Sequence, residues 1–467
     1  MANAVESSAP SVADRPLPPY PEGIPGHPRM HFLALALDPL KYGRKLEEEE
    51  PDLVRYWLPG AGDVYNPGHP DHLRQILVTD RDAFGKSDDF RVAFGEGLLT
   101  VEGEEWRQQR DVLQPLFERE AVTGYADGML EQITRRVDRW SPGEELELQR
   151  CFTNMTLDVL FATVLGRELA IDGDEELRTA AESLNDWFAP SSYVLPSWIP
   201  TPARRRFRRA KTTLQRECER LLEDAGSEPP TDPAAASDLL SLLVGLREAG
   251  MADEAGMLTD ERLRDQMVTM IFAGHDTTTT ALTFSCWCLA NNPEVAERFY
   301  EEVDGIDGEV TIDDVDDLEV TDRVVTEALR LFPPVHNLPR RTTRDVEVGG
   351  YRIPADSQVH IPIIGIQRDE RWFDDPDTFR PSRWDGSLRQ EIPPFAYAPF
   401  GGGPRICIGR TFALLEAKLA LAAIGRRFEL EWLGENSEDG DPPVVPQMTL
   451  RMEEGQHFRL RERHDGR

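Results

Sequence analysis

The spacing of apolar residues predicts a mainly helical chain between residues 30 and 335. Segments such as "TNMTLDVLFATVLG" and "RFRRAKTTLQRECERLLEDA" place apolar residues three and four positions apart, the period of one helix face. Later, "RDVEVGGYRIPADSQVHIPI" alternates apolar and polar residues around Gly349 and Gly350, which predicts a hairpin. A last amphipathic helix is predicted from about residue 408. We therefore expect a mainly α (α+β) fold: one large helical domain over 19–467 with a small sheet, preceded by a flexible tail over 1–18.

One predicted helix combines great length with polar residues at its centre. The segment "QMVTMIFAGHDTTTTALTFSCWCLA" is apolar except around His275 and Asp276. The helix is predicted from near Leu258 to the residues before Pro293, about 30 residues or about 45 Å. A stretch of this kind could cross a membrane, but the two polar groups at its midpoint would cost several kcal/mol in lipid. We therefore expect a buried helix of a soluble protein, with a functional interruption.

The net charge disfavours some classes of binding partner. The chain has 52 basic and 85 acidic residues, a net charge of −33, and lysine is scarce. Such a surface disfavours nucleic acids and anionic membranes as partners. Its self-repulsion would almost vanish in roughly molar salt, where the screening length is about 3 Å. Our hypothesis is a protein of a salt-loaded (halophilic) cytoplasm. The alternative is an acidic mesophilic protein whose lysine scarcity reflects codon bias.

Cysteine usage and the N-terminus indicate a cytoplasmic location. The five cysteines are few, odd in number and scattered, which argues against a disulfide framework. The first 30 residues are polar and proline-rich, without the apolar run of a signal peptide. We expect no membrane anchor.

The segment "PFGGGPRICIGR" is the strongest local signal of chemistry. It places Cys407 immediately before an amphipathic helix, where the helix dipole and free N–H groups would lower the pKa of its thiol. Taken alone, a single cysteine is more often an inert core residue. The pattern around it, formed by Phe400, Gly403, Arg405 and Gly409, rarely occurs by chance. The pattern therefore favours Cys407 as the ligand of a bound group.

With this pattern the sequence resembles the cytochrome P450 family, whose haem-ligand signature is Phe-x-x-Gly-x-Arg-x-Cys-x-Gly. Further segments are similar to family motifs and occur in the family's order: "WRQQR" in an early helix, "AGHDTT" in the long helix, then "EALR" and "FRPSRW". The resemblance extends from about residue 20 to the C-terminus, and motifs this numerous make it specific.

The resemblance implies a fold and a cofactor. Cys407 would be the axial thiolate ligand of haem b, with Phe400 shielding one face of the sulfur and Gly403 and Gly409 shaping the loop. The haem would lie between the Cys407 helix and the long helix, which Ala273 and Gly274 allow to approach it closely. Candidate partners of the haem propionates are Trp106, Arg110, Arg340 and Arg405, with Arg341 a rival of Arg340.

The resemblance also implies roles in catalysis and folding. Asp276 and Thr277 would deliver protons during the activation of O2, the co-substrate, because cleavage of its O–O bond consumes protons. His275 occupies a variable position and is not expected to be a ligand. Glu327, Arg330 and Arg383 resemble the family's buried ion triad, whose role is structural.

The implied function is a monooxygenase that inserts one oxygen atom of O2 into a substrate by hydroxylation or epoxidation. Electrons would come from separate partners, a ferredoxin and its reductase. One alternative is a hydrogen-peroxide-dependent peroxygenase, although such members typically carry arginine and proline where Asp276 and Thr277 stand. A second alternative is a non-oxygenating haem protein, such as a sensor or an isomerase.

Family position also suggests which segments face the substrate. They are mostly apolar, which predicts a lipophilic molecule such as a fatty acid, a terpenoid or a steroid. The segments are "DDFRVAFGEGLLTVEGEE", Ile271 to Ala273, "PVHNL" at 334–338 and "QMTL" at 447–450.

Overall fold

The structure is a computed structural model that describes residues 11–21, 31–49, 52–86, 88–188, 199–227, 238–248, 259–437 and 440–463. Its helices, in chain order, are α1 His31–Leu37, α2 Pro39–Glu49, α3 Pro70–Arg74, α4 Asp88–Phe94, α5 Gly103–Leu113, α6 Arg119–Gly124, α7 Ala126–Val137, α8 Leu148–Val164, α9 Glu175–Ser183, α10 Pro202–Ser227, α11 Leu239–Glu248, α12 Asp260–Asn291, α13 Pro293–Asp304, α14 Glu319–Leu331, α15 Ile363–Gln367, α16 Leu388–Glu391 and α17 Arg410–Gly425.

The strands are short by comparison with the helices. They are β1 Leu53–Leu58, β2 Gly62–Pro67, β3 Phe84–Gly85, β4 Glu145–Leu146, β5 Asn337–Thr342, β6 Val346–Val348, β7 Tyr351–Ile353, β8 Gln358–Pro362, β9 Phe428–Trp432, β10 Val444–Pro446, β11 Leu450–Met452 and β12 Phe458–Glu462. The mainly helical fold with small sheets predicted from the sequence is confirmed.

The chain divides into two compact units. The first unit contains the described residues of Met1–Ser87, Asn337–Pro376 and Ile392–Ile406, and the second contains those of Asp88–His336, Asp377–Glu391 and Cys407–Arg467. The single domain expected over 19–467 remains a prediction. Residues 1–10 of the expected tail lie outside the described residues.

The first unit is built on a five-stranded sheet in the order β1-β2-β8-β5-β3. Strands β2 and β8 are parallel, and the other neighbours are antiparallel. Strand β8 buries Val359 and Ile361 in the core of this unit. The predicted hairpin is confirmed, since β6 and β7 are joined by Gly349 and Gly350, whose φ angles of 57° and 83° suit a tight two-residue turn.

The second unit is organised around α12, the long helix predicted from its apolar run. It packs against α8, α10, α14 and α17. The side chain of Thr259 caps its N-terminus by accepting a hydrogen bond from the Arg262 N–H at 3.4 Å, and the helix ends just before Pro293. Leu258, where the helix was expected to begin, lies outside the described residues.

Two small sheets complete the second unit. Strands β4, β12 and β9 form one of them, and the hairpin of β10 and β11 forms the other. In β11, Leu450 and Met452 are buried. The backbone N–H of Leu450 donates to the carbonyl of Pro334 at 2.8 Å. The hairpin is therefore anchored within the unit.

Candidate active site

One face of α12 is accessible although the surrounding helix is buried. Ala273 is exposed, and Gly274 and Thr277 are half-buried, whereas nearly every other residue from 265 to 289 is buried. Positions 273 and 277 are one turn apart and therefore share a face. The hydroxyl of Thr277 donates to the carbonyl of Ala273 at 2.8 Å. The helix thus offers a small patch of backbone and hydroxyl in an otherwise apolar setting.

Gly274 packs closely against α8 inside the second unit. A Cβ atom at this position would lie 2.7 Å from Cδ1 of Leu160 on α8, which is closer than side chains tolerate. The sequence suggested that this glycine permits close approach to the haem. The contact with Leu160 is a further reason for glycine, and it concerns helix–helix packing.

Asp276 is almost completely buried and is held by three side chains. Its Oδ2 accepts a short hydrogen bond from the Thr449 hydroxyl and a second one, 3.2 Å long, from Nδ2 of Asn185. Its Oδ1 lies 3.5 Å from Nη1 of Arg451. We call Asn185, Thr449 and Arg451 the Asp276 clamp. Nothing in the sequence indicates that these three side chains contact Asp276, because no motif marks them.

The second half of the segment "QMTL" packs against α12. Thr449 is only 2% exposed, and its hydroxyl is bonded to Asp276. The neighbouring Leu450 is fully buried, and its carbonyl accepts a hydrogen bond from the Thr280 hydroxyl at 3.0 Å. Gln447 is exposed and Met448 is half-buried, and the expectation that the segment faces the substrate stays a prediction.

His275 is fully buried and its ring is oriented by the helix backbone. Nδ1 lies 2.6 Å from the carbonyl of Ile271, so this nitrogen carries the proton and donates it. Burial lowers the pKa of His275 below its usual value, so the ring is neutral at pH 7. That His275 is not a ligand stays a prediction.

Cys407 differs from the other four cysteines in its exposure. It is exposed, whereas Cys151 is half-buried and Cys218, Cys286 and Cys288 are buried. Burial nevertheless raises the pKa of the Cys407 thiol, because protein atoms lie close around it. The N–H of Gly409 and the nearby Arg110 and Arg410 act in the opposite direction. The predicted lowering of its pKa is thus wrong for the protein alone, since desolvation outweighs the helix N-terminus.

The loop before Cys407 belongs to the first unit. Gly403 begins a short 3-10 turn that ends at Arg405, and its φ of 67° lies in the region that favours glycine. A Cβ atom on Gly403 would also lie 2.6 Å from the carbonyl oxygen of Leu77. The conformation and the packing both require glycine here. Phe400 and Arg405 are half-buried.

Trp106 and Arg110 lie one turn apart on α5, so they share a helix face. Both side chains are half-buried. Nε of Arg110 donates to Oε1 of Gln114 at 2.7 Å. Burial lowers the pKa of Arg110, and the charge of Cys407 partly opposes this, so the two residues lie within electrostatic range of each other.

Arg340 and Arg341 are neighbours on β5, so their side chains point to opposite faces of the sheet. Nε of Arg341 forms an ion pair of 2.7 Å with Asp356 near the surface. Nη1 of Arg340 donates to the carbonyl of Pro339 at 2.8 Å. The structure therefore gives the two rival arginines different surroundings.

The structure brings Glu327, Arg330 and Arg383 together in the second unit. Glu327 and Arg330 have no exposed surface, and the side chain of Arg383 is 4% exposed. Oε1 of Glu327 accepts from Arg330 at 2.9 Å, from Arg383 at 2.7 Å and from the Arg380 backbone N–H at 3.1 Å. Its Oε2 accepts from Arg330 at 2.9 Å and from the Trp384 indole at 2.8 Å. The triad is thus extended by Trp384, the last residue of "FRPSRW".

The sequence model of the family described as "Cytochrome P450" matches residues 18–456. The chain belongs to the cytochrome P450 family. It is an oxidoreductase of the monooxygenase class, and the family implies haem with a cysteine thiolate and O2.

Relatives and solved structures support this membership. The chain is 32% identical to cyclooctatin synthase of Streptomyces melanosporofaciens (86% of this chain, 87% of the relative). It is 33% identical to pentalenene oxygenase of Streptomyces avermitilis (80% and 83%) and 31% identical to cyclooctat-9-en-7-ol 5-monooxygenase of Streptomyces melanosporofaciens (86% and 87%). The crystal structure of the cytochrome P450DA heme domain matches with a TM-score of 0.82 at 28% identity, covering 97% of this chain and 99% of that one.

The described residues of the second unit are compatible with a bound haem. An exposed cysteine at a helix start and a bare, accessible patch on a buried helix are what such a group requires. Arg110 lies within electrostatic range of that cysteine. Within the described part of the chain, no helix is long and apolar enough to cross a membrane.

Proposed function

We propose that this P450 oxygenates a lipophilic, terpenoid-type substrate, with haem b bound by the Cys407 thiolate. The observation that carries the proposal is the patch of Ala273, Gly274 and Thr277, the accessible part of a buried helix, next to the clamped Asp276. When bound, the haem supplies the chemistry of oxygen binding and electron acceptance. The chain supplies the ligand, the proton donors and the pocket.

Several side chains of the protein would hold the haem. Because the pKa of the Cys407 thiol is raised, its coordination to the iron would release a proton, and the Gly409 N–H would then stabilise the sulfur charge. Trp106, Arg110, Arg340 and Arg405 would bind the propionates, and Phe400 would cover the sulfur. We favour Arg340 over Arg341, because the side chain of Arg341 is 41% exposed at the surface.

Asp276 would relay protons to the reacting oxygen, and Thr277 would hydrogen-bond that oxygen. Because the Thr277 hydroxyl donates to Ala273, its oxygen lone pairs remain available to accept a proton or a hydrogen bond at the accessible patch. Asp276 is the adjacent acid, and a positioned acid typically accelerates such a step by about 10²–10⁴-fold.

The residues beside the patch favour an apolar substrate. Phe272 precedes Ala273, and its ring lies 4.5 Å from that of Phe94 on α4. Phe188 stacks on Phe94 at 6.1 Å and contacts Phe90 at 5.3 Å, measured between ring centroids. Pentalenene and cyclooctat-9-en-7-ol, in the names of two relatives, are an alkene and an unsaturated alcohol. Both observations support a terpenoid as the substrate class.

We also propose that electrons arrive from a separate ferredoxin and its reductase in the cytoplasm. A monooxygenase reaction consumes two electrons, and cytochrome P450 monooxygenases receive them from redox partners. The net charge of −33 supports the halophilic hypothesis.

A spectral titration of the ferric holoprotein in high salt tests the substrate class. We would add pentalenene, cyclooctat-9-en-7-ol, a fatty acid and a steroid, and follow the low-spin to high-spin change of the haem absorbance. We expect the terpenoids to produce the change at the lowest concentrations, followed by product formation with NADPH, ferredoxin and reductase. A response to fatty acids or steroids alone would overturn the terpenoid assignment. Turnover with peroxide but not with the electron donors would favour a peroxygenase.

A further inference from the structure

The C-terminal hairpin of β10 and β11 makes contacts with Asp276 that the acid–alcohol motif does not predict. Thr449 and Arg451 flank Leu450 in this hairpin and lie more than 170 residues from Asp276 in sequence. The hydroxyl of Thr449 donates to Oδ2, and the guanidinium of Arg451 lies 3.5 Å from Oδ1. The hairpin therefore supplies two of the three side chains that hold the carboxylate.

Four hydrogen bonds fix the backbone of β11 to α8, to α12 and to the segment that follows α14. The N–H of Leu450 donates to Pro334 at 2.8 Å, and its carbonyl accepts from Thr280 at 3.0 Å. The amide of Gln149 on α8 bonds both the N–H and the carbonyl of Met452, at 2.7 and 3.0 Å. A strand of three residues could not hold its position through pairing with β10 alone. These bonds fix the points from which Thr449 and Arg451 reach the carboxylate.

The side chain of Arg451 is 19% exposed, whereas that of Asp276 is 1% exposed. Arg451 is therefore the member of this ion pair that reaches towards solvent. A buried carboxylate is costly unless donors and a cation surround it. Thr449 and Asn185 hold Oδ2 by hydrogen bonds, whereas Oδ1 makes no hydrogen bond with the described residues and faces the charge of Arg451 at 3.5 Å.

We propose that Thr449 and Arg451 are positioning residues for proton delivery, because they set the direction of the Asp276 carboxylate and its contact with solvent. The inference rests on the proposed function of Asp276 as a proton donor. Neither residue is a catalytic residue, since each acts through Asp276.

A double-mutant cycle on the holoprotein tests the proposal. We would compare wild type, Arg451→Gln, Asp276→Asn and the double variant, measuring NADPH oxidation with saturating ferredoxin and reductase in H2O and D2O. We expect Arg451→Gln to slow the reaction about tenfold or more and to raise the solvent isotope effect. In the Asp276→Asn background the same change should have no further effect, because the two residues act as one unit.

Three further variants separate positioning from general damage to the fold. Thr449→Val should reproduce the Arg451→Gln defect, and Thr449→Ser, which keeps the hydroxyl, should restore wild-type behaviour. The matched control is Arg463→Gln, because Arg463 is 15% exposed and pairs with Asp304 at 2.6 Å in the same unit. This control should leave the isotope effect unchanged.

An infrared measurement provides a readout that is independent of turnover. In protein labelled with 13C-aspartate, the carboxylate band that Asp276→Asn removes should shift in Arg451→Gln and in Thr449→Val, but not in Arg463→Gln. If Asp276→Asn itself leaves the rate and isotope effect unchanged, the proposed role of Asp276 fails. If Asp276→Asn is impaired but Arg451→Gln is not, or if Arg451→Gln acts equally in both backgrounds, the positioning role is overturned.

Discussion

Replacement of Glu327 by alanine should be among the most damaging single changes in this protein. The carboxylate accepts five hydrogen bonds, from Arg330, Arg383, Trp384 and the backbone of Arg380. Its removal leaves two guanidinium groups buried without their counter-charge. Burial already lowers the pKa of Arg383, and the charge of Glu327 opposes that effect.

The expected loss of stability follows from the burial of the triad. Removal of one partner of a buried ion pair costs about 3–5 kcal/mol. A protein domain is stable by only about 5–15 kcal/mol in total, so Glu327→Ala would consume a large part of that stability. Glu327→Gln keeps the shape but loses the charge, and its effect should be intermediate. Because the triad fixes the segment Thr378–Trp384, from which the chain continues to the Cys407 loop, we expect the alanine variant to lose its haem.

The assay measures the haem-to-protein ratio by absorbance and the urea midpoint of unfolding by circular dichroism. The midpoint is the suitable quantity, because a bound cofactor makes unfolding deviate from two-state behaviour. The control is Glu319→Ala on the same helix, since the side chain of Glu319 is 70% exposed and pairs with Arg323 at 2.6 Å. Exposed pairs contribute about 0–1 kcal/mol, so this variant should keep its haem. A Glu327→Ala protein with the haem ratio and midpoint of wild type would refute the reasoning.

Four further predictions concern single features. Thr277→Ala should increase the share of electrons lost as hydrogen peroxide without changing haem content, as measured by peroxide release per NADPH. Arg340→Ala should lower haem retention while Arg341→Ala, which breaks a surface pair, should not; equal losses would contradict the assignment. Glu416 is 1% exposed, and burial raises its pKa well above 4.5. The contribution of this side chain to stability is therefore fully present below pH 4.5, and it is lost as the pH rises through the pKa of the folded state. Glu416→Gln should therefore stabilise the protein at neutral pH but not in acid, by about 1.4 kcal/mol per pKa unit, as unfolding midpoints at several pH values would show. Finally, the net charge of −33 predicts that the unfolding midpoint rises with KCl concentration; a maximum at low salt would exclude a halophilic origin.

The features that could be predicted from sequence are those encoded by neighbouring residues. The helix α12 follows from a long apolar run, interrupted only around His275 and Asp276, that ends before Pro293. The β6–β7 hairpin follows from Gly349 and Gly350. The pairing of Glu327 with Arg330 joins residues three positions apart, so the motif contains most of the interaction.

The features that could not be predicted depend on contacts between distant segments. Thr449 and Arg451 lie in a hairpin whose sequence carries no motif, and only the fold places them beside Asp276. The direction of the Cys407 pKa shift was wrong for a related reason. A helix start can be seen in sequence, whereas desolvation depends on the atoms that the rest of the chain places around the sulfur.

The polar residues of α12 show why Asp276 in particular depends on distant partners. Thr277, Thr278 and Thr280 each donate to the carbonyl four residues earlier, and so does His275. Residues with a proton to donate can thus be satisfied by their own buried helix. A carboxylate has only acceptors, and the helix interior offers it no free N–H group. An acid at the centre of a buried helix must therefore receive its donors from other segments, and in this protein the C-terminal hairpin provides the Thr449 hydroxyl and the nearby charge of Arg451.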